Sequence, residues 1–385
     1  MRLLEESIFW EIFFRRQLRR SDLARCFHVS KPTVSRAADS LIEKGLLVEA
    51  AVSAARRGRR PALLCVAPDS GCFGGIEIDR NRVTCAVADW GGSLLGRSTT
   101  ASDLLGPPDL LAATCETTLR RALEDAGLDA GQLSGIGVGC ASWARSQLRR
   151  TSAISSTLET AFRVPVTIDD RSRAAALGHH LLIPSYSSHE NAIYIYAGTG
   201  IGSGLFLNGR LYRGVNQAAG EVGHIVIDRN GPLCSCGKRG CVESFASTEA
   251  VLARFSSLQV NTGLSSTRAT VAVTLDQLIG KARARDQRAC HVLQEAGEAI
   301  GTGVANMVDI LNPSLVVLTG SFIFRAGPVL VDPIMQTLHA KLLPSTARRL
   351  RICAAPFRKD IIPAGCALLA ACDIGPSLVR QKVSG

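Results

Sequence analysis

Apolar positions in the first 66 residues change spacing several times, and each change marks an element. Leu4, Ile8 and Ile12, with neighbouring aromatics, recur at helical spacing over residues 3–18. Ser21 suits the N-cap of a short second helix carrying Leu23, Ala24 and Phe27. After a turn at His28 and Val29, Ser30 caps a third helix. Pro32 fits its first turn, and Val34, Ala38, Leu41 and Ile42 form its apolar stripe. Gly45 ends that helix, and Leu46 to Val52 and Leu63 to Val66 then read as a pair of strands. Three helices followed by a two-stranded wing predict a winged helix-turn-helix over residues 1–66.

Further along, strands alternate with helices. Gly75 to Asp79 and Val83 to Asp89 read as strands around the tip Arg80-Asn81-Arg82, and Gly91-Gly92 turns into a third. Residues 108–126 are an amphipathic helix, Ser134 to Gly139 a buried strand, and Val164 to Asp170 a strand that runs into a helix. A strand at Asn191 to Ile195 follows. Leu275 to Ala284 and Gln287 to Leu311 are helical, Asn312-Pro313 breaks the run, and Leu315 to Leu318 is again a strand. The expectation is an α/β body.

Charge sharpens the reading of the N-terminal segment. The chain carries a formal net charge of +11, and residues 1–66 hold 13 Arg or Lys against 7 Asp or Glu, a net of +6. An acidic partner is implied. On the exposed face of the third helix, Lys31, Thr33, Ser35 and Arg36 are suited to base edges and phosphates in a major groove. Arg56, Arg57, Arg59 and Arg60 surround Gly58 at the wing tip, as a minor-groove reader would. The competing readings are a solvated helix face and a generic phosphate clamp. The partner expected is double-stranded DNA, read by a homodimer, because one short helix offers little surface.

Thirteen cysteines, most scattered through apolar contexts, do not form a secreted disulfide framework. Glu5 and Glu6 early in the chain do not suit a signal peptide, and no uninterrupted apolar run approaches the ~18 residues of a spanning helix. A cytoplasmic protein without membrane contact is expected.

Candidate chemistry concentrates in Gly198 to Glu243, where a glycine loop, Gly198-Thr-Gly-Ile-Gly202, precedes Glu221-Val-Gly-His224 and Cys234-Ser-Cys236-Gly-Lys-Arg-Gly-Cys241-Val-Glu243. His224, Cys234, Cys236 and Cys241 offer one imidazole and three thiols. That set suits a closed tetrahedral zinc with no open position, hence a structural ion. The competing reading is cysteines crowded by chance.

These motifs, in this order and spacing, resemble the ROK family of sugar kinases and repressors. The resemblance covers essentially the whole chain, since sugar-responsive ROK repressors also carry a winged helix before the kinase-like body. It implies a two-lobed actin-like ATPase fold, the first lobe spanning 67–180 with a C-terminal helix at 360–375 and the second, with the zinc loop, spanning 190–358. It also implies a sugar or sugar-derivative effector held by Glu221, His224 and Glu243, with Asp170, at the family's Asn, a further ligand candidate or a base displaced by one residue. The chain departs from the kinase pattern at three places. Arg80-Asn81-Arg82 stands where the family's phosphate turn has Gly-Gly-Thr. Cys140-Ala141 replaces Pro-Gly, no Asn-Leu-x-Trp follows, and Trp143 is either a substitute platform or core. Arg171 stands at the family's catalytic Asp, and a guanidinium has no lone pair with which to accept a proton. The expectation is a transcriptional repressor of sugar-metabolism genes, with no catalytic residue. Its rivals are an active kinase fused to a DNA reader and a body that serves only as a dimer scaffold.

Overall fold

The computed structural model describes residues 1–385 apart from 51–61, 142–147, 261–272, 357 and 385. The chain forms two compact units, Met1–Ser188 with Lys359–Gly385, and His189–Arg358.

The first unit opens with helix α1 (Arg2–Arg15), strand β1 (Leu18–Arg19), helices α2 (Arg20–Cys26) and α3 (Lys31–Glu43), and strands β2 (Leu47–Ala50) and β3 (Leu63–Val66). Ile8, Phe9, Ile12 and Phe13 of α1 pack inward with Val34, Ala37, Ala38 and Leu41 of α3. Helix α2 starts one residue before the expected cap. Arg19 takes the cap position, and Asp22 accepts its N–H at 3.3 Å. The sheet order β1-β3-β2 completes the winged helix.

Strands β4 (Cys72–Asp79), β5 (Arg82–Asp89) and β6 (Leu94–Ala101), helix α4 (Pro108–Ala126), strand β7 (Leu133–Cys140), helix α5 (Leu148–Phe162), strand β8 (Val166–Asp170) and helix α6 (Arg171–Leu182) follow. The sheet runs β6-β5-β4-β7-β8, antiparallel on one side of β4 and parallel on the other. A C-terminal helix, Ile361–Ser384, returns to pack on β4, β7 and α6. Its approach is close. A Cβ on Gly75 or on Gly137 would lie 1.9 Å from its backbone carbonyls. Among the described residues this one helix is long and apolar enough to cross a membrane by length and composition, though Asp373 interrupts its apolar run; 67% of its most apolar window is buried in the unit.

The second unit repeats the arrangement. Strands β9 (Ala192–Ala197), β10 (Ile201–Leu207), β11 (Arg210–Tyr212), β12 (Leu315–Thr319) and β13 (Arg351–Ala354) order as β11-β10-β9-β12-β13, again antiparallel then parallel. Between β11 and β12 lie the cysteine-bearing loop and helices Val242–Ala246, Thr248–Val260, Leu275–Arg283 and Gln287–Leu311. Asn312 ends the last of these in a left-handed conformation, φ 44°. Two sheets of one order and polarity give the actin-like ATPase pattern, preceded by a winged helix.

Candidate functional site

The DNA-reading candidates start from the cap of α3. Ser30 accepts the Thr33 N–H at 3.3 Å and its hydroxyl meets that of Thr33 at 2.8 Å, so Thr33 is partly committed to holding the helix start. Lys31 and Arg36 are exposed, Ser35 is half-buried, and neither cation has an ion-pair partner among the described residues. Arg20, by contrast, is spent internally on Asp39 at 2.6 Å and Glu49 at 2.9 Å. Arg56, Arg57, Arg59 and Arg60 lie outside the described residues, as does Trp143.

In the second unit the chain brings His224, Cys234, Cys236 and Cys241 together, their ligand atoms all within 4.8 Å of one another. Gly240 makes this possible with φ 68°, since a Cβ there would lie 1.5 Å from the Asp228 carbonyl oxygen. His224 Nδ1 is 3.6 Å from Cys234 Sγ, and Cys236 Sγ is 3.7 Å from Cys241 Sγ. A tetrahedral zinc with ordinary bond lengths places sulfur from sulfur at about 3.8 Å and nitrogen from sulfur at about 3.6 Å. The donor set therefore fits that ion. Burial, reinforced by the Cys236 and Cys234 side chains, pushes the Cys241 thiol up to about 12. Cys236 moves the other way: burial opposes its ionisation, but the Lys238 N–H and the neighbouring sulfurs hold it below the ordinary thiol value. The Lys238 ammonium itself donates to the His224 carbonyl at 2.7 Å.

Glu243 follows the last cysteine and turns to the glycine loop. Its Oε2 accepts the Ile201 N–H at 2.8 Å, and a Cβ on Gly200 would collide with it at 2.7 Å. Glu221 precedes the short turn Val222–His224. His224 faces the cysteines through Nδ1, which leaves Nε2 on the opposite edge of the ring.

The kinase-like corner of the first unit is closed on itself. Asp170 is the N-cap of α6 and accepts the Ser172 N–H at 2.7 Å. Arg171, only 5% exposed, reaches back to β4 and pairs with Asp79 at 2.5 Å. Arg82 approaches the other Asp79 oxygen at 3.5 Å. Burial alone would raise the Asp79 carboxyl, yet Arg171 and the Arg80 N–H hold it below the usual range. Burial pushes Glu77, two residues earlier, up to about 7 against the pull of Arg171. Two residues along α6, Arg173 forms a second buried pair with Asp169 of β8 at 2.6 Å. Sequence reasoning singled out Arg171 but neither Asp79 as its partner nor Glu77. Asp79 closing a strand before an arginine tip was the available signal.

A model of the ROK family matches residues 73–371, and a model of the MarR family matches residues 15–58. The xylose repressor of Caldicellulosiruptor bescii is 26% identical over 376 residues, 92% of each chain. A glucokinase of Halalkalibacterium halodurans is 34% identical over 204 residues, 51% of this chain and 61% of that one. Among solved structures, a ROK family transcriptional regulator homologous to the E. coli MLC protein superposes with a TM-score of 0.72 at 26% identity. The match covers 96% of this chain and 95% of that one.

Proposed function

Because the chain belongs to the ROK family, we propose that it is a DNA-binding transcriptional repressor of sugar-utilisation genes, with a kinase-like body that senses an effector and transfers no phosphate. The observation that carries this reading is the extent of the match. Likeness to a xylose repressor runs through winged helix and body together, whereas likeness to a glucokinase covers half the chain. Lys31, Ser35 and Arg36 on α3 read the major groove, with Thr33 fixing the helix start. The wing arginines, Arg56, Arg57, Arg59 and Arg60, add minor-groove charge. The DNA-reading domain is residues 1–66, and two copies bind a two-fold operator in the cytoplasm.

His224, Cys234, Cys236 and Cys241 hold a structural zinc, which fixes the loop bearing Glu221 and Glu243. With Nδ1 committed to the ion, His224 presents Nε2 to a sugar hydroxyl beside Glu221. Glu243 contributes beside them while holding the Ile201 N–H, and Asp170, the ligand candidate of the first unit, holds the Ser172 N–H. Phosphoryl transfer is disfavoured because Arg171 cannot take the hydroxyl proton and neutralises Asp79 instead.

The test pairs two measurements on the full chain, operator binding and thermal shift against a panel of pentoses, hexoses and N-acetyl sugars. One sugar is expected to raise the melting temperature and to change operator affinity. A ligand at about 100 times its dissociation constant stabilises by ~2.7 kcal/mol. Sugar-dependent ATP turnover near ~1 per second would overturn the non-enzymatic reading.

A further inference from the structure

The C-terminal helix Ile361–Ser384 has two different surroundings. Its first half is embedded in the lobe. Pro363 and Cys366 carbonyls lie against Gly75 and Gly137, the Ile361 carbonyl against Gly178, and Gly365 against the Ala174 carbonyl. These contacts attach it to β4, β7 and α6, the elements that carry Asp79 and Arg171. Its second half belongs with the winged helix. Arg380 pairs with Glu6 at 3.1 Å, and Lys44 donates to the Val383 carbonyl at 3.1 Å and to Glu5 at 3.2 Å. Val379 and Val383 are buried there.

The change of surroundings falls at Gly375-Pro376, in the helix interior. Pro376 brings no N–H for the Cys372 carbonyl, and glycine beside it lowers the cost of bending, so this is the weakest point of the rod. Two tryptophans meet there. A Cβ on Gly375 would lie 2.6 Å from the Trp90 ring and 2.9 Å from the Trp10 ring. Trp90, at the end of β5, is packed edge-on by Phe9 and Phe13 of α1 at 5.3 and 6.1 Å and by Phe73 of β4 at 4.8 Å. Its indole N–H is buried and has no acceptor among the described residues. Arg16, just past α1, adds a bond to the Gly91 carbonyl.

We propose that Gly375-Pro376 is a hinge and the Trp10–Trp90 contact its seat. Together they set the angle at which the lobe presents α3 to DNA, so that residues 377–384 are functionally part of the DNA-reading module. The proposal rests on the repressor reading. It deepens that reading by naming positioning residues that touch neither DNA nor effector.

The experiment uses full-length protein and a duplex selected from a random pool by the wild type. If the wild type selects none, the repressor reading itself fails, and that result is separate from the hinge. Given a selected duplex, Gly375→Ala is expected to weaken binding about tenfold, and adding Trp90→Phe to recover part of the loss by making room. Pro376→Ala restores the missing helical bond. It is expected to keep or raise the melting temperature while also weakening binding, opposite movements that a merely structural role does not give. Wild-type affinity in Pro376→Ala overturns the hinge. So does a Gly375→Ala loss that Trp90→Phe leaves unchanged in a cooperatively melting protein.

Discussion

Two clusters of ionisable side chains, one in each unit, face the same problem and solve it in opposite ways. Around Cys241 the chain crowds three thiols against an imidazole, and the neighbouring Lys238 ammonium is committed to the His224 carbonyl. Around Asp79 it crowds carboxylates with their own guanidiniums, Arg171 and Arg82. The first cluster favours an added cation, because its thiols ionise together only when a positive centre compensates them. The second is internally compensated and gains nothing from one. A family resemblance alone treats both as inherited kinase parts. Charge balance separates a site built to be filled from one that fills itself.

The comparison is broken most severely at the thiols. Cys236→Ser is expected to lose bound zinc, measured by atomic emission, and to cost the second unit of the order of 5 kcal/mol in a denaturant melt. Full metal content with unchanged stability would remove the zinc assignment. In the other cluster, Arg171→Met takes the nearer of two cations from half-buried Asp79, leaves Arg82 at 3.5 Å, and is expected to cost about 2 kcal/mol. Adding Asp79→Asn should return most of it, because neutral partners no longer require each other. If the double variant is no better than the single, the pair is not the stabilising unit. Arg171→Asp is expected to yield no sugar kinase activity, since Arg80 and Arg82 still line the turn.

Glu77 tests the same corner through pH. Its folded value, raised to about 7, lies above the ordinary carboxyl value of 4.5, so the folded chain holds a proton that the unfolded chain releases. Stability from this group is full below the unfolded value and lost as pH rises through the folded one, up to about 3 kcal/mol in all. Glu77→Gln should flatten that decline between pH 5 and 8, and an unaltered pH profile would contradict it. The smallest effect on folding belongs to a cation in neither cluster. Arg36→Ala should leave the melting temperature within error and weaken operator binding by about 1–2 kcal/mol, read by anisotropy.

Much of the architecture was legible before any coordinates. The spacing of Val34, Ala38 and Leu41 with Ser30 ahead of them placed α3, and Asn312-Pro313 ended the helix Gln287–Leu311 at the right residue. The clustering of His224 with the three cysteines was legible because the four side chains lie within eighteen residues, where spacing constrains geometry. The Arg171–Asp79 pair spans 92 residues and depends on how β4 and α6 meet, which no local pattern encodes. Glu243 shows a finer limit. Its place in the motif marked it for a ligand, but its first partner is the backbone of the glycine loop. The C-terminal helix passed for an ordinary closing helix, since nothing in its composition reveals that its two halves pack on different neighbours.

The return of that helix to the first unit also orders events at the ribosome. Strands β4 and β7 are complete by residue 140, yet the helix that covers them begins at residue 361. At elongation rates of about 5–20 residues per second, the apolar face of that sheet waits roughly 10–45 seconds for its cover. During that interval the nascent chain is a natural client for chaperones that shield apolar surface. A transcript cut short in its last hundred codons would then yield a chain lacking that cover, and it would enter proteolysis before it could occupy an operator.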